Sequence, residues 1–298
     1  MVLYIGGIRA TSSNSNKGSG GEKYVINREV SAQGVYQMPT SSFTFTLPSN
    51  AIDVGRYGMF GTFQNCIGLT SVDLSSLTSV SGINGMAHAF SDCTGLTGAL
   101  NLSSLITVSG NSGMPSAFQN CIGLTSVDLS SLTTVSGSSG MSYAFRGCKN
   151  LTSVDLSSLI TVSGSMGMSS AFQNCIGLTS VDLSSLTTVS GGNGMASAFQ
   201  GCKNLTSVDL SSLTTISGMG MYRAFYNCTS LKSLSFPALT STSFGSYTNQ
   251  FNSMLSGVTG CTVHFPSNLQ SVIGSWSDVT AGFGGTNTTV LFDLPATT

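Results

Sequence analysis

The residues of this chain that could do chemistry stand in rows. Cysteine occupies positions 66, 93, 121, 148, 175, 202 and 228, a period of 27 residues with single-residue departures. A cysteine row can hold metal, form disulfides or supply nucleophiles, and each use requires a particular spacing. There is no Cys-x-x-Cys, and one thiol per period supplies no tetrahedral ligand set. Stacked copies bring neighbouring Cα atoms to about 5 Å, inside the disulfide range. An inward position at this spacing nevertheless suits a buried, reduced thiol used as a small hydrophobe. Buried free thiols are therefore expected, with an inter-coil disulfide as the alternative. The eighth cysteine, Cys261, falls outside the row.

A second row is acidic. Asp73, Asp128, Asp155, Asp182 and Asp209 recur with the same period, and Asn101, Ser235 and His264 hold the equivalent place in other copies. Serines flank the row on both sides, as in Ser126 and Ser130 around Asp128. Carboxylates about 5 Å apart repel by the order of 1 kcal/mol per neighbouring pair in water. Three readings stay open: a solvated face whose serines bond the carboxylates, a ligand face for a glycan or a basic partner, and cation binding between Asp and Ser oxygens. The last is the weakest, since divalent ions usually take six or more oxygens from a closed loop.

No constellation points to catalysis. The two histidines, His88 and His264, lie about six copies apart and have no repeated partner. No Gly-x-Ser-x-Gly elbow and no Gly-x-x-x-x-Gly-Lys phosphate loop occurs. The expectation is a protein that is not an enzyme and takes no metal or cofactor.

The elements that would position these rows follow from the spacing of the apolar residues. Each row cysteine stands three residues after a Phe and seven after a Met, as in Met168, Phe172 and Cys175. An Ala precedes each Phe except in the first copy, which has Thr62. Spacing of i, i+3, i+4 and i+7 predicts one face of a short helix. Three residues after each cysteine begins Leu-x-x-Val-x-Leu, as in Leu124, Val127 and Leu129. Its alternation predicts a strand with Val and Leu inward and Asp outward. Such a unit buries its apolar face only against neighbours, so the copies must stack. The same twenty-two letters stand at 116–137 and 170–191, and identical coils present identical interfaces.

The predicted fold is a repeat solenoid of the α+β class, a leucine-rich-repeat-like stack of about eight coils with a parallel sheet on one face and short helical turns on the other. "LTSVDLSSLTTVSG…GMSSAFQNC" resembles the BspA-like class of leucine-rich repeats, over about residues 43–265. The chain departs from the commoner leucine-rich pattern, in which Asn or Cys follows the last strand Leu by three residues; Leu77, Leu132 and Leu186 stand there instead. The resemblance implies a surface protein that binds host or glycan ligands. The "LYIGGIRA" start, the Gly/Ser stretch and the "TNTTVLFDLP" end are similar to repeat proteins of phage tails and virions.

Departures from the period mark boundaries. The sequence divides into a short strand or anchor at 1–10, a flexible Ser/Asn/Gly linker at 11–22, an N-terminal cap with the first strand at 23–58, the solenoid at 59–240 and a C-terminal cap with an irregular last coil at 241–298. "LTGALNL" at 96–102 carries one residue more than "LTSVDL" and predicts a bulge. Aligning "CTVHF" with "TSVDL" places Met254 in the Phe row and Gly257 in the Cys row. The tail is expected to fold over the last coil and cover the open sheet edge.

Composition excludes several classes of function. Charged residues make up 7% of the chain and the net charge is −1, so no basic field attracts nucleic acid. No segment reaches the roughly 20 apolar residues that span a bilayer, and the N-terminus shows no Sec signal. Between the turn glycine and the cysteine the copies vary. Tyr143, Arg146, Tyr222, Arg223 and Tyr226 give this edge the Tyr/Arg content of partner-binding surfaces, and drift of exposed positions without selection is the alternative reading. The expected function is attachment: a non-enzymatic solenoid displayed on a virion, another extracellular assembly or a bacterial surface, binding a cell-surface glycan or protein through the Asp row or the variable edge. The alternative is a spacer or fibre subunit that self-associates through its end coils.

Overall fold

The computed structural model describes residues 2–5, 8–13, 23–28, 43–47, 53–240, 250–273 and 283–297. It is a parallel β-solenoid whose coils have three sides. The first side is the predicted strand, seen as Leu69–Asp73, Gly123–Asp128, Ser153–Asp155, Ser180–Asp182 and Ser207–Asp209. Copies pair in parallel and in register: Asp128 stands opposite Asp155, Asp155 opposite Asp182 and Asp182 opposite Asp209. The second side is a two-residue strand per coil, such as Thr161–Val162, with Thr beside Thr and Val beside Val. At its N-terminal end this sheet continues into Lys23–Arg28, Ile8–Ser13 and Val2–Ile5, reaching ten strands. Ile8–Ser13 thus runs three residues into the segment expected as a linker.

The third side corrects the sequence reading. The Met-Ala-Phe-Cys segments are not helical; the described helical residues lie elsewhere, in Ser267–Leu269, Gln270–Ile273 and at Phe283. They are chains of tight turns in which every second N–H bonds three residues back and the others cross to the next coil. Ala144 donates to Met141 and Cys148 to Phe145, whereas Tyr143 donates to Ser169 and Phe145 to Ala171. Positive φ recurs at every fourth residue, as at Asn84, His88 and Asp92, which a right-handed helix does not permit. Over two turns a period of four and one of 3.6 place the same residues inward, so spacing alone did not separate them.

The inward rows form one core running the length of the stack. Phe63, Phe90, Phe118, Phe145, Phe172, Phe199 and Phe225 stack ring on ring, with centroids 5.0–5.7 Å apart and planes within 9° of parallel. Hydroxyls tie the coils together outside the core: Thr152 and Thr206 donate to the carbonyls of Thr125 and Thr179 in the preceding coil. That is one use for so Ser/Thr-rich a surface.

Coils also alternate in kind, which explains why the literal repeat returns after two periods. Asn120 and Asn174 have positive φ and lay their side chains over the next coil, where Gly147 and Gly201 stand. A Cβ on either glycine would meet the Asn Oδ1 at 2.3 Å. From the third coil on, an Asn coil is therefore followed by a Gly coil and the complementary unit is the pair, whereas Asp92 follows Asn65 in the first two coils.

The ends differ from the expectation in two ways. Cross-coil hydrogen bonds from Arg223 to Asn252 and from Phe225 to Met254 put Met254 in the Ala row, Leu255 in the Phe row and Val258 in the Cys row, one residue from the predicted alignment. An unusual coil length upstream of the last strand misled the count. The tail also does more than cover an edge: Thr289–Leu294 pairs in parallel with Thr262–Pro266 and extends the sheet by a further strand. At the predicted bulge the register shifts between Leu124 and Ser126 against Thr97–Asn101, next to Gly98 with φ +79.

Candidate binding surface

The Asp row is assembled as the spacing predicts, and its geometry shows a local task for the carboxylates. Oδ1 of Asp73, Asp128, Asp155, Asp182 and Asp209 accepts the backbone N–H two residues on, from Ser75, Ser130, Ser157, Ser184 and Ser211, at 2.9–3.0 Å. This is an Asx turn, and it bends the chain from the first side of the coil to the second. Asn101 makes the same bond to Ser103 with no charge. The hydrogen bonds from the Ser75 and Ser184 side chains and backbones hold Asp73 and Asp182 below the ordinary carboxylate range. Each carboxylate keeps Oδ2 for solvent or a ligand. Among the described residues no cluster of three or more His, Cys, Asp or Glu is disposed to hold a metal ion.

Above the row runs a shallow trough. One section, of about 630 Å³, is lined by Asn101, Ser126, Asp128, Ser153, Asp155 and Ser180 among others. The next, of about 440 Å³, continues past Asp182, Ser207 and Asp209 to Ser235 and Pro237. The two share Ser180 and Asp182. Serine hydroxyls and carboxylate oxygens line an open channel crossing six coils, with the strand residues Val127, Val154, Val181 and Val208 between them.

The Cys row does no comparable work at the surface. All eight cysteines are buried and none is joined in a disulfide. Each row thiol from Cys93 on donates to the carbonyl of the Phe one coil back, Cys148 to Phe118 and Cys202 to Phe172 at 3.1–3.2 Å. Burial pushes Cys148 and Cys202 up to about 12, away from the thiolate needed for nucleophilic attack. Cys261 is outside the ladder and bonds only its neighbour's carbonyl.

The histidines stay apart. His88 sits on the turn face at φ +55, while His264 takes its place in the Asp row and contacts Asp293 of the last strand at 3.0 Å. The variable edge is assembled on the turn face: the Arg146 guanidinium lies 5.5 Å from the Tyr143 ring centre, and Arg223 lies 5.0 and 5.5 Å from Tyr222 and Tyr226. Sequence reasoning missed its N-terminal counterpart. Tyr57 and Phe60 are exposed, edge-to-face at 5.9 Å, with Arg56 over Tyr57 and His88 beside Phe60. The signal was there in "GRYGMF", which occupies the variable columns of the first coil.

A family model described as a BspA type leucine-rich repeat region matches residues 34–139, 59–193 and 168–275. The chain belongs to this BspA-type family. Its repeats therefore place the strand, the turn face and the Cys row of this solenoid within a known class. No curated protein matches the chain at a significant level. Solved structures that resemble it include a leucine-rich repeat protein from Bacteroides ovatus, 17% identical over 97% of this chain and 99% of that one, with a TM-score of 0.26. A leucine-rich cell surface protein from Faecalibacterium prausnitzii is 16% identical over 97% and 94%, with a TM-score of 0.26. The pneumococcal vaccine antigen PcpA is 13% identical over 98% of each chain, with a TM-score of 0.23.

Proposed function

We propose that this BspA-type solenoid is a non-enzymatic attachment protein, displayed outside the cell on a surface or a virion, that holds an extended glycan or polypeptide of its target along the strand-face trough. The observation that carries the reading is the trough itself: an open channel over six coils, lined by regularly spaced acceptors, suits a repeating polymer and no small substrate. Family membership supports display outside the cell. No helix among the described residues is long and apolar enough to cross a membrane.

Glycan arrays and cationic peptide arrays, probed with the intact protein and with Ser153→Trp and Ser180→Trp, test the reading. Both serines line the trough and face solvent, so the indoles fill it without entering the core. The expected result is a ligand bound by the parent protein and weakened roughly tenfold or more by either change. Equal binding by parent and variants overturns the trough as the site.

A second reading, a fibre subunit joined end to end, draws on Thr289–Leu294, which pairs on one side only among the described residues and leaves Leu291 exposed. Light scattering across a concentration series separates it: growth into rods supports it, and a constant monomer mass removes it.

A further inference from the structure

The turn face carries a pattern that the strand-face reading does not use. Three Arg–Tyr pairs lie along it: Arg56 with Tyr57, Arg146 with Tyr143, and Arg223 with Tyr222. They belong to the coils of Cys66, Cys148 and Cys228, the first, fourth and seventh. With coils about 4.8 Å apart, successive pairs are separated by roughly 15 Å along the stack axis, the first displaced sideways by one four-residue turn because Tyr57 shares the column of Asn84 and Ser112 while Tyr143 shares that of His88 and Ser116.

Two further observations mark these pairs as more than drift. Tyr57, Tyr143 and Arg223 sit at φ +55, +58 and +52, a backbone region that bulky side chains disfavour. Neighbouring coils hold Ser116, Ser170 and Ser197 at the place of Tyr143 and Arg223, so the strained position, which His88 fills in coil two, takes a large side chain at both later pairs where a small one serves. Charge is also segregated. From coil three to coil seven every carboxylate is on the strand face, whereas Arg146, Lys149, Lys203 and Arg223 fall on the turn segments or the corner that follows each cysteine; Lys232, beside the strand Ser233–Ser235, donates to the Thr259 carbonyl of the next coil. The one carboxylate of the turn segments, Asp92 in coil two, is half-buried and accepts from Ser91 and Asn120 at 2.8 Å.

We propose that the turn face binds a stiff anionic polysaccharide lying along the stack axis. A carboxylate on the polymer meets the guanidinium at each pair, and the exposed side of the Tyr ring takes the apolar face of a sugar. Contacts spaced over some 30 Å select a partner that is already extended. A flexible acidic peptide loses more ordering entropy over that span. The proposal is independent of the trough, so each can fail alone.

The test is binding of the full chain to polygalacturonate and to hyaluronate at low ionic strength. Methyl-esterified polygalacturonate serves as the uncharged control and poly-glutamate as the acidic polypeptide. Binding to at least one acidic polysaccharide is expected, weakened steeply by salt and lost roughly tenfold or more in Arg56→Gln/Arg146→Gln/Arg223→Gln. The trough variant Ser180→Trp should bind these polymers unchanged. Tyr143→Ser and Arg223→Ser install the residue of neighbouring coils, fold as the parent does, and should each weaken binding about threefold or more. They carry the test should the triple variant unfold. Failure to bind either acidic polymer, equal binding of the ester, equal or tighter binding of poly-glutamate, or undiminished binding by the Ser variants overturns the proposal.

Discussion

Asp155 accepts two hydrogen bonds from Ser157, the backbone N–H at 3.0 Å and the hydroxyl at 2.7 Å. The pair shows why an unpaired acidic ladder is tolerated: each carboxylate organises its own corner before it offers anything to a partner. Since Asn101 fills the same role, charge is dispensable for the turn and the acceptor oxygen is not. Asp155→Asn should therefore fold with unchanged or slightly higher stability at neutral pH, because neighbour repulsion is relieved. Asp155→Ala should lose stability by about 0.5–1.5 kcal/mol, the net worth of a typical hydrogen bond. Urea melts of the three proteins check this, and an Asn variant as weak as the Ala variant would show that the charge matters.

The same bonds set an acid dependence. Asp73 and Asp182 titrate lower in the folded protein than the ordinary carboxylate value of 3.8. A depressed folded pKa contributes stability that is present above the unfolded value and is lost as pH falls through the folded one. Asp73→Asn/Asp182→Asn should therefore flatten the fall in melting temperature below about pH 4. Both side chains are exposed, so the effect is small and screened by salt. Parallel slopes in parent and variant would contradict it.

Adjacent glycines offer an internal control on coil packing. A Cβ on Gly191 would lie 1.8 Å from the carbonyl oxygen of Gly164, whereas one on Gly192 would meet nothing closer than 3.8 Å. Gly191→Ala must push two coils apart and should cost about 1–3 kcal/mol or more. Gly192→Ala should be neutral or stabilising by a few tenths up to about 1 kcal/mol through the unfolded chain. Chemical denaturation of both variants measures the contrast, and equal effects would mean that the coils do not approach as closely as this.

What the sequence made legible follows the same physics. A strict period aligns columns, so the strand register, the buried Phe and Cys rows and the position of each Asp could be read from spacing. The turn layer could not, because its four-residue repeat mimics a helical face over the eight residues from Met141 to Cys148. The task of the Asp was written as Asp-x-Ser in every acidic copy, yet the serine's N–H mattered as much as its hydroxyl. The last coil slipped by one residue because Leu255, not Met254, takes the Phe place. Tyr57 escaped notice because it fell in the segment 23–58 read as a cap, and Phe60 because it follows Met59 in the solenoid, beside the inward row.

The thiols give the last prediction. Desolvation lifts Cys148 and Cys202 from the ordinary thiol value of 9.0 to about 12. A raised folded pKa contributes stability that is complete below the unfolded pKa and lost as pH rises toward the folded one. The unfolded thiols ionise first, so stability should decline between about pH 9 and pH 12. Below that window a thiol reagent should modify almost none of the seven row cysteines in the native protein and all of them in denaturant, without prior reduction. Within it, labelling should accelerate only as fast as global unfolding measured by circular dichroism. The carbonyls of Phe118 and Phe145, which accept from Cys148 and Cys175, are sealed in the same layer, so no single thiol can open alone. Rapid modification of Cys175 while the protein stays folded would show that the turn face breathes locally and that the row is not held as a unit.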